Sequence, residues 1–147
     1  MVITDAALHR RAVACTEKVR QVATTRSGWE FMGYVGAALV TDRGNVFTGI
    51  NISVLCGIGF CAEHSAVADM VRDGETKIHK IVATTAEETI IPPCGRCREL
   101  LYQIDVSNLD TIVLIGEGRR RSLRELLPDN WQPHFDKPLP GYTGTAR

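Results

Sequence analysis

The sequence predicts an α/β sandwich formed by a single domain. Strand-like and helix-like segments alternate along the chain, which is typical of helices packed on a sheet. A length of 147 residues suits one domain with a sizeable core. Neither a repeat nor a shift in composition divides the sequence. We therefore expect one domain over 1–147, with its core at about 5–131 and an extended tail rich in proline and glycine at 132–147.

The first element that the sequence predicts is an amphipathic helix near the N-terminus. Thr4 or Asp5 can cap its first turn, because short polar side chains there accept hydrogen bonds from free backbone N–H groups. Apolar residues then recur at helical spacing, with charged residues between them: Leu8, Ala12, Cys15, Val19 and Val22. We expect this apolar side, Cys15 included, to pack into the core.

Two strands follow at about 35–40 and 46–50, and the residues at 42–45 form a hairpin turn between them. Residues 51–60 show no clear period and are expected to form a loop. The later elements are, in chain order, a helix at 61–73, a strand at 78–84, a helix at 94–104, a strand at 111–115 and a short helix capped by Ser122. The three arginines at 119–121 are expected to lie in a solvated turn.

Two fragments of the chain carry the chemistry that the sequence points to. The first contains Cys61 and Glu63, and the second, about thirty residues later, contains Cys94 and Cys97. Cys94 and Cys97 are three apart, so they share one face of a helix. Three thiolates leave the fourth position of a tetrahedral Zn²⁺ open for water, which is typical of a catalytic zinc site. Glu63 can reach that open position while Cys61 binds the ion.

A structural zinc site is the alternative interpretation of these cysteines, and it requires a fourth protein ligand. The candidates for that ligand are Cys56, His64, His79 and His134. Structural zinc modules usually take their cysteines in two close pairs. Cys61 has only Cys56 near it, five residues upstream, so the catalytic interpretation is favoured. Glu63 by itself would pass for an ordinary first-turn glutamate, which the helix dipole stabilises.

The ordered set Cys61-Ala62-Glu63 and Pro93-Cys94-Gly95-Arg96-Cys97 resembles the zinc-dependent cytidine deaminase superfamily in its three-cysteine form. Segments 35–39, 47–51 and 125–128 also resemble the small branch that acts on free nucleosides, so the likeness extends over about 30–131. The resemblance implies a three-layer α/β/α sandwich with a mixed central sheet. It also implies one Zn²⁺ per chain and a homotetramer.

The same resemblance implies roles for individual residues. Cys61, Cys94 and Cys97 would bind the zinc, and Glu63 would move protons between water, the ring nitrogen and the leaving amine. The backbone of Ala62 would contact the edge of the base. Asn51 matches an asparagine that binds a sugar hydroxyl, although it could equally be a polar residue at the end of a strand. Ser53 occupies a neighbouring substrate-binding position.

Several positions depart from the family pattern or stay open between two interpretations. Ser53 replaces a glutamate that binds ribose, and Gly33 replaces a phenylalanine, which puts ribose recognition in doubt. His64 stands where an arginine often hydrogen-bonds the thiolates; it either donates such a bond or finds another partner. Arg98 matches a family arginine or is a solvated helix charge. Trp131 either reaches a neighbouring subunit's active site or packs on the surface.

Composition excludes some partners. Lys+Arg and Asp+Glu each number 17, so the formal net charge is zero, and no basic patch favours nucleic acid. No apolar run approaches the ~18 residues that a membrane span needs, and the N-terminus lacks the pattern of a secretory signal. Of five cysteines, the metal would take three and leave Cys15 and Cys56. This usage favours a reducing cytoplasm over a disulfide scaffold.

The sequence therefore predicts a hydrolytic zinc deaminase of a small cytosine nucleoside such as cytidine or deoxycytidine. A cytosine-containing compound without ribose, such as the antibiotic blasticidin S, is the alternative. Blasticidin S deaminases, which are three-cysteine relatives, likewise lack the glutamate and the phenylalanine. A deaminase of polynucleotides would need a basic groove with aromatic residues. A zinc-stabilised interaction domain without activity would have no use for Glu63.

Overall fold

The computed structural model describes residues 3–23, 31–54 and 56–131. The tail at 132–147, including His134, lies outside the described residues. The helices are α1 Asp5–Ala23, α2 Ala62–Arg72, α3 Gly95–Ile104 and α4 Leu123–Leu126, with a 3₁₀ turn at Val106–Asp110. The strands are β1 Phe31–Thr41, β2 Val46–Ser53, β3 Ile78–Thr85, β4 Ile90–Ile91, β5 Ile112–Gly116 and β6 Arg119–Ser122.

These strands form one sheet in the order β2-β1-β3-β5-β6, and the short β4 pairs with the end of β3. β1 runs antiparallel to both β2 and β3, whereas β3 and β5 are parallel because α3 lies in the connection between them. The sheet is therefore mixed, as the sequence predicts.

Helices cover both faces of this sheet. Successive residues of a strand point to opposite faces, and β1 shows this with Ala37 and Leu39 in one buried cluster and Ala38 and Val40 in another. The first cluster contains the buried residues of α2, α3 and α4; the second contains Leu8 and other residues of α1. The predicted three-layer α/β/α sandwich is confirmed.

Helix α1 is fixed to the sheet at its first turn. Thr4 Oγ1 accepts a hydrogen bond from the Ala7 N–H at 3.2 Å, so Thr4 is the cap. Asp5 forms ion pairs with Lys80 of β3 at 2.8 Å and with Arg120 of β6 at 2.6 Å. Both cations come from strands of the same sheet, so this carboxylate ties the helix to two positions at once.

The structure corrects the prediction for the three arginines. Residues 119–121 are part of β6, which pairs with β5, and they do not form a turn. The turn lies one step earlier, at 117–118, where Gly118 adopts a φ of +63° that other residues rarely take. Sequence analysis also missed β4, because two residues carry too little pattern to predict a strand.

Helix α2 approaches β2 closely at Gly49. A Cβ atom added to Gly49 would lie 2.4 Å from the Ala62 carbonyl oxygen and 2.4 Å from the Ala66 nitrogen. Both are backbone atoms of α2, so no side-chain rotation could relieve the contact. This close packing sets the distance between the sheet and the N-terminus of α2.

We predict that Gly49→Ala destabilises the protein by about 1–3 kcal/mol, the usual cost of overpacking, because α2 must move away from β2. Urea denaturation should show a lower midpoint. Gly116→Ala is the matched control, since a Cβ there would meet only Arg119 side-chain atoms at 3.5 Å and beyond. Equal midpoints for Gly49→Ala and the unmodified protein would refute the close-packing constraint.

Candidate active site

Cys61 and Cys94 occupy equivalent positions at the starts of two helices. Cys61 is the N-cap of α2 and Cys94 the N-cap of α3, and both have extended backbone angles. Neither side chain makes a capping hydrogen bond. Sequence analysis placed Cys94 within a helix, whereas the structure starts α3 one residue later. The two sulfur atoms are thus free of the helix ends on which they stand.

The phenylalanine that precedes Cys61 fixes the start of α2 to the sheet. Phe60 pairs with Ile52 at the end of β2 through two backbone hydrogen bonds of 3.0 and 2.8 Å. Part of the expected loop at 51–60 is therefore strand, since β2 continues to Ser53. This pairing holds Cys61 beside the sheet.

The sulfur atoms of Cys61, Cys94 and Cys97 converge. The Sγ–Sγ distance is 3.7 Å between Cys61 and Cys94 and 3.3 Å between Cys94 and Cys97. All three atoms lie within 4.8 Å of one another. Tetrahedral Zn–S bonds of about 2.3 Å place sulfurs roughly 3.8 Å apart. The donor set and its spacing therefore fit Zn²⁺.

No fourth ligand joins this cluster within 3–23, 31–54 and 56–131. Cys56, His64 and His79 are described and are not part of the group. His134, the remaining candidate, lies outside the described residues. Three sulfurs leave one tetrahedral position to a non-protein ligand, which is the arrangement of catalytic zinc sites.

The protonation of the three thiols depends on their surroundings. Burial raises the pKa of Cys97 and, less strongly, of Cys61. Burial acts the same way on Cys94, but hydrogen bonds from Cys97 and Cys61 outweigh it and lower the pKa of Cys94. Thiolates are the form that binds metal, and a divalent cation offsets the cost of burying their charge.

Glu63 is the second residue of α2 and is only 4% exposed. An ordinary first-turn glutamate is solvated, so its burial supports a role beyond the helix dipole. Burial raises the pKa of this carboxyl group, and hydrogen bonds from its own backbone N–H and the Cys97 side chain partly oppose the rise. A raised pKa suits a group that must take up a proton and release it again.

A cavity of about 400 Å³ opens beside the sulfur cluster. Six residues predicted from the sequence line it together: Asn51, Ser53, Cys61, Ala62, Glu63 and Cys94. Cys97 is fully buried behind them. Elements from both ends of the chain's central region thus meet at one concave site, the usual setting for a small ligand.

Asn51 and Ser53 are connected within this cavity. The Asn51 side-chain oxygen accepts a hydrogen bond from the Val35 N–H at 2.7 Å, and its amide donates to the Ser53 hydroxyl at 3.2 Å. Asn51 therefore joins β2 to the irregular start of β1, where the pairing register shifts. The Ser53 hydroxyl lies next to an amide whose orientation is fixed.

Gly33 lies in that register shift and has a backbone reason to be glycine. Its φ is +68°, and an added Cβ would lie 2.7 Å from Val19 Cβ. A phenylalanine could not be placed there without moving α1 and changing the backbone. An aromatic side chain nevertheless lines the cavity, namely Phe60.

Three predicted residues lie away from the cavity lining. His64 lines a groove on the outer side of α2, and no described residue partners its buried Nε2 atom. Arg98 donates to the carbonyl oxygens of Pro93 at 2.8 Å and Leu126 at 3.0 Å, so it steadies the loop that carries Cys94. Trp131 is 60% exposed, and its N–H donates to Glu99 at 3.3 Å.

Sequence analysis missed several lining residues, chiefly Val35, Phe60, Ile91, Pro92 and Arg96. Some stood beside the motif: Phe60 directly precedes Cys61, and Arg96 lies between the two later cysteines. Val35 and Ile91 gave no signal, because only the sheet brings β1 and β4 to this place.

Comparison with known proteins agrees with this geometry. Residues 8–113 match the family model of the cytidine and deoxycytidylate deaminase zinc-binding region, and the chain belongs to that family. It is 34% identical over 96 residues to a cytidine deaminase of Mycobacterium tuberculosis, covering 65% of this chain and 70% of the relative. A blasticidin-S deaminase of Bacillus cereus is 29% identical over 104 residues, covering 65% of this chain and 74% of the relative.

A solved structure extends the likeness to the fold. The cytidine deaminase of Burkholderia pseudomallei superimposes with a TM-score of 0.68 at 28% identity, covering 88% of this chain and all of that one. The chain is thus a hydrolytic deaminase of cytosine-type compounds, and its cofactor is zinc. The single cysteine cluster in the described residues corresponds to one Zn²⁺ per chain.

We predict that purified protein contains close to one zinc per chain and that Cys94→Ala loses most of it. The variant should also unfold more easily, because metal binding contributes to folding. Elemental analysis after removal of free metal gives the content, and thermal denaturation gives the stability. Cys56→Ala is the matched control, since Cys56 is exposed and outside the cluster. Full zinc content in Cys94→Ala would rule out this metal centre.

Proposed function

We propose that this protein deaminates a small cytosine nucleoside, cytidine or deoxycytidine in the first instance, to the uracil compound and ammonia. The observation that carries the proposal is Glu63, a buried carboxyl group in a cavity whose wall also carries the sulfurs of Cys61 and Cys94. The size of the cavity, about 400 Å³, suits a small molecule rather than a polymer.

Cys61, Cys94 and Cys97 would hold the zinc, which lowers the pKa of water to about 7 when bound. In this proposal Glu63 accepts a proton from the attacking water and passes it to ring N3. It then delivers a proton to the exocyclic amine, which leaves as ammonia. The burial that raises the pKa of Glu63 lets it act both as base and as acid.

The remaining lining residues would orient the substrate. The first backbone N–H groups of α2 have no partner within the helix, so the Ala62 N–H is available to the edge of the base. Asn51 and the Ser53 hydroxyl would contact the group attached to the ring. Phe60 and Ile91 supply apolar surface in the same cavity.

Blasticidin S is the second candidate substrate, and the Ser53 position favours considering it. Ser53 offers a neutral hydroxyl and no carboxylate to bind two sugar hydroxyls, and the Asn51 side chain is already engaged with Val35 and Ser53. The relative from Bacillus cereus is a blasticidin-S deaminase. Loss of ultraviolet absorbance by cytidine, deoxycytidine and blasticidin S separates the two candidates.

Cytidine turnover with kcat/KM of ~10⁵ M⁻¹s⁻¹ or above would establish the nucleoside assignment, because this value lies well within the usual enzyme range. Slow cytidine turnover beside fast blasticidin S turnover would replace it with the second candidate. No turnover of any of the three would overturn both.

We predict that Glu63→Gln retains zinc but loses at least about 10²-fold in kcat, because general acid–base catalysis alone contributes 10²–10⁴-fold. Steady-state kinetics with parallel metal analysis tests this. Glu87→Gln is a suitable control, as Glu87 is exposed and lies outside the cavity. A Glu63→Gln protein within tenfold of the unmodified kcat would remove Glu63 from the mechanism.

We also propose a homotetramer that completes its active sites across subunits. Exposed apolar side chains support an assembly: Ile58 is 80% exposed and borders a groove between α2 and α3 that Val71 and Leu100 also line. Trp131, 60% exposed beyond α4, is the residue that would reach a neighbour. Oligomerisation would then stabilise each subunit by mass action.

Trp131→Ala should raise KM or shift the assembly toward smaller species, because a neighbour would lose an aromatic wall of its cavity. Light scattering at the assay concentration, combined with kinetics, measures both. Tyr34→Ala is a control, since Tyr34 is another exposed aromatic residue. A fully active monomer that does not respond to Trp131→Ala would rule out shared sites.

Finally, we propose that the protein works in the cytoplasm. All five cysteines are free, and three of them form the metal cluster. A reducing compartment keeps such thiols available. Within 3–23, 31–54 and 56–131, none of the helices has both the length and the apolar character to cross a bilayer.

A further inference from the structure

Arg96 is an exposed cation at the mouth of the active-site cavity. It is the second residue of α3, between Cys94 and Cys97, and it lines both the cavity and the neighbouring groove between α2 and α3. Within the part of the chain that the structure describes, no hydrogen bond or ion pair engages its guanidinium group. By contrast, Arg72, Arg98 and Arg120 each bind a carboxylate or a carbonyl oxygen.

The acidic groups near Arg96 have other tasks. Glu99, one turn along α3, accepts hydrogen bonds from Gln103 at 2.9 Å and from the Trp131 N–H at 3.3 Å. Glu63 is buried in the cavity and serves the chemistry. His64, on the groove side, is close enough to feel the charge of Arg96 and supplies no negative charge. A five-donor guanidinium is therefore left facing solvent and the cavity.

The rest of the cavity offers no other charge for binding a substituent. Among the described lining residues only Glu63 and Arg96 carry charged side chains, and the residues proposed to contact the ring substituent, Asn51 and Ser53, are neutral. A substrate with several neutral hydroxyls would gain little from an unpaired cation. A carboxylate or a phosphate monoester would gain a charge-assisted pair that a guanidinium can form in bidentate geometry.

We propose that Arg96 binds an anionic group on the substrate, so that the preferred compound is a cytosine derivative bearing a carboxylate or a phosphate monoester. This inference rests on the proposed deamination and specifies its substrate class. Because Arg96 is exposed, the pair is screened by salt, and the preference should weaken as ionic strength rises.

The test compares kcat/KM for cytidine, cytidine 5′-monophosphate and 1-(carboxymethyl)cytosine. In the unmodified enzyme at least one anionic compound should exceed cytidine. Arg96→Gln should lower the ratio of anionic to neutral kcat/KM by about tenfold, mainly through KM, as expected for one lost charge-assisted contact. Whether the phosphate or the carboxylate responds more identifies the group. Arg72→Gln, which removes an exposed arginine from α2, should leave the ratio unchanged.

A second measurement does not depend on turnover. Calorimetric titration of the zinc protein with uridine and with uridine 5′-monophosphate compares a neutral and an anionic product-like ligand. Arg96→Gln should weaken only the anionic ligand by about tenfold. If no cytosine compound is deaminated, the proposed function fails, yet this titration still reports on Arg96.

Two results would overturn the inference. One is an unmodified enzyme that prefers cytidine to both anionic compounds and binds the anionic ligand no better than the neutral one. The other is an Arg96→Gln protein that loses zinc, or that loses neutral and anionic substrates equally. That pattern would assign the guanidinium to the support of the thiolates.

Discussion

The meeting of two helix N-termini at one edge of the sheet is the constraint on which the structure depends. Cys61 begins α2 and Cys94 begins α3, and their sulfurs are 3.7 Å apart. Helix N-termini stabilise thiolates through free N–H groups and the helix dipole. The same position gives Glu63 its buried place. The cluster and the carboxyl group therefore follow from a single packing arrangement.

Backbone contacts hold that arrangement on each side. Gly49 lets α2 lie against β2, and the pairing of Phe60 with Ile52 fixes the residue before Cys61. On the other side, Arg98 joins the loop at Pro93 to the end of α4. Each contact involves main-chain atoms, so the geometry depends little on the mobility of side chains. Rigid support of this kind suits a site that must place groups within a fraction of an ångström.

The fold class, the cysteine cluster and the general outline of the helices could be predicted from the sequence, because each has a local pattern. Alternating strands and helices predict the sandwich, and the spacing of Cys94 and Cys97 predicts shared direction. The roles of Asn51, Ser53 and Trp131 remain predictions. Arg96 was missed, since an unpaired arginine is recognisable only when the charges around it are placed in three dimensions. β6 was missed because arginines suggest solvent even where a backbone pairs.

The uncapped helix starts of α2 and α3 imply a trade-off between stability and activity. Serine, threonine, aspartate and asparagine are the residues that best satisfy an N-cap, and their loss typically costs about 1 kcal/mol. Cysteine stands at both positions and makes no capping bond. Exchange of Cys61 for serine would strengthen the helix of the metal-free chain while removing a sulfur from the cluster. Selection for thermal robustness alone would therefore favour the very substitutions that extinguish the chemistry.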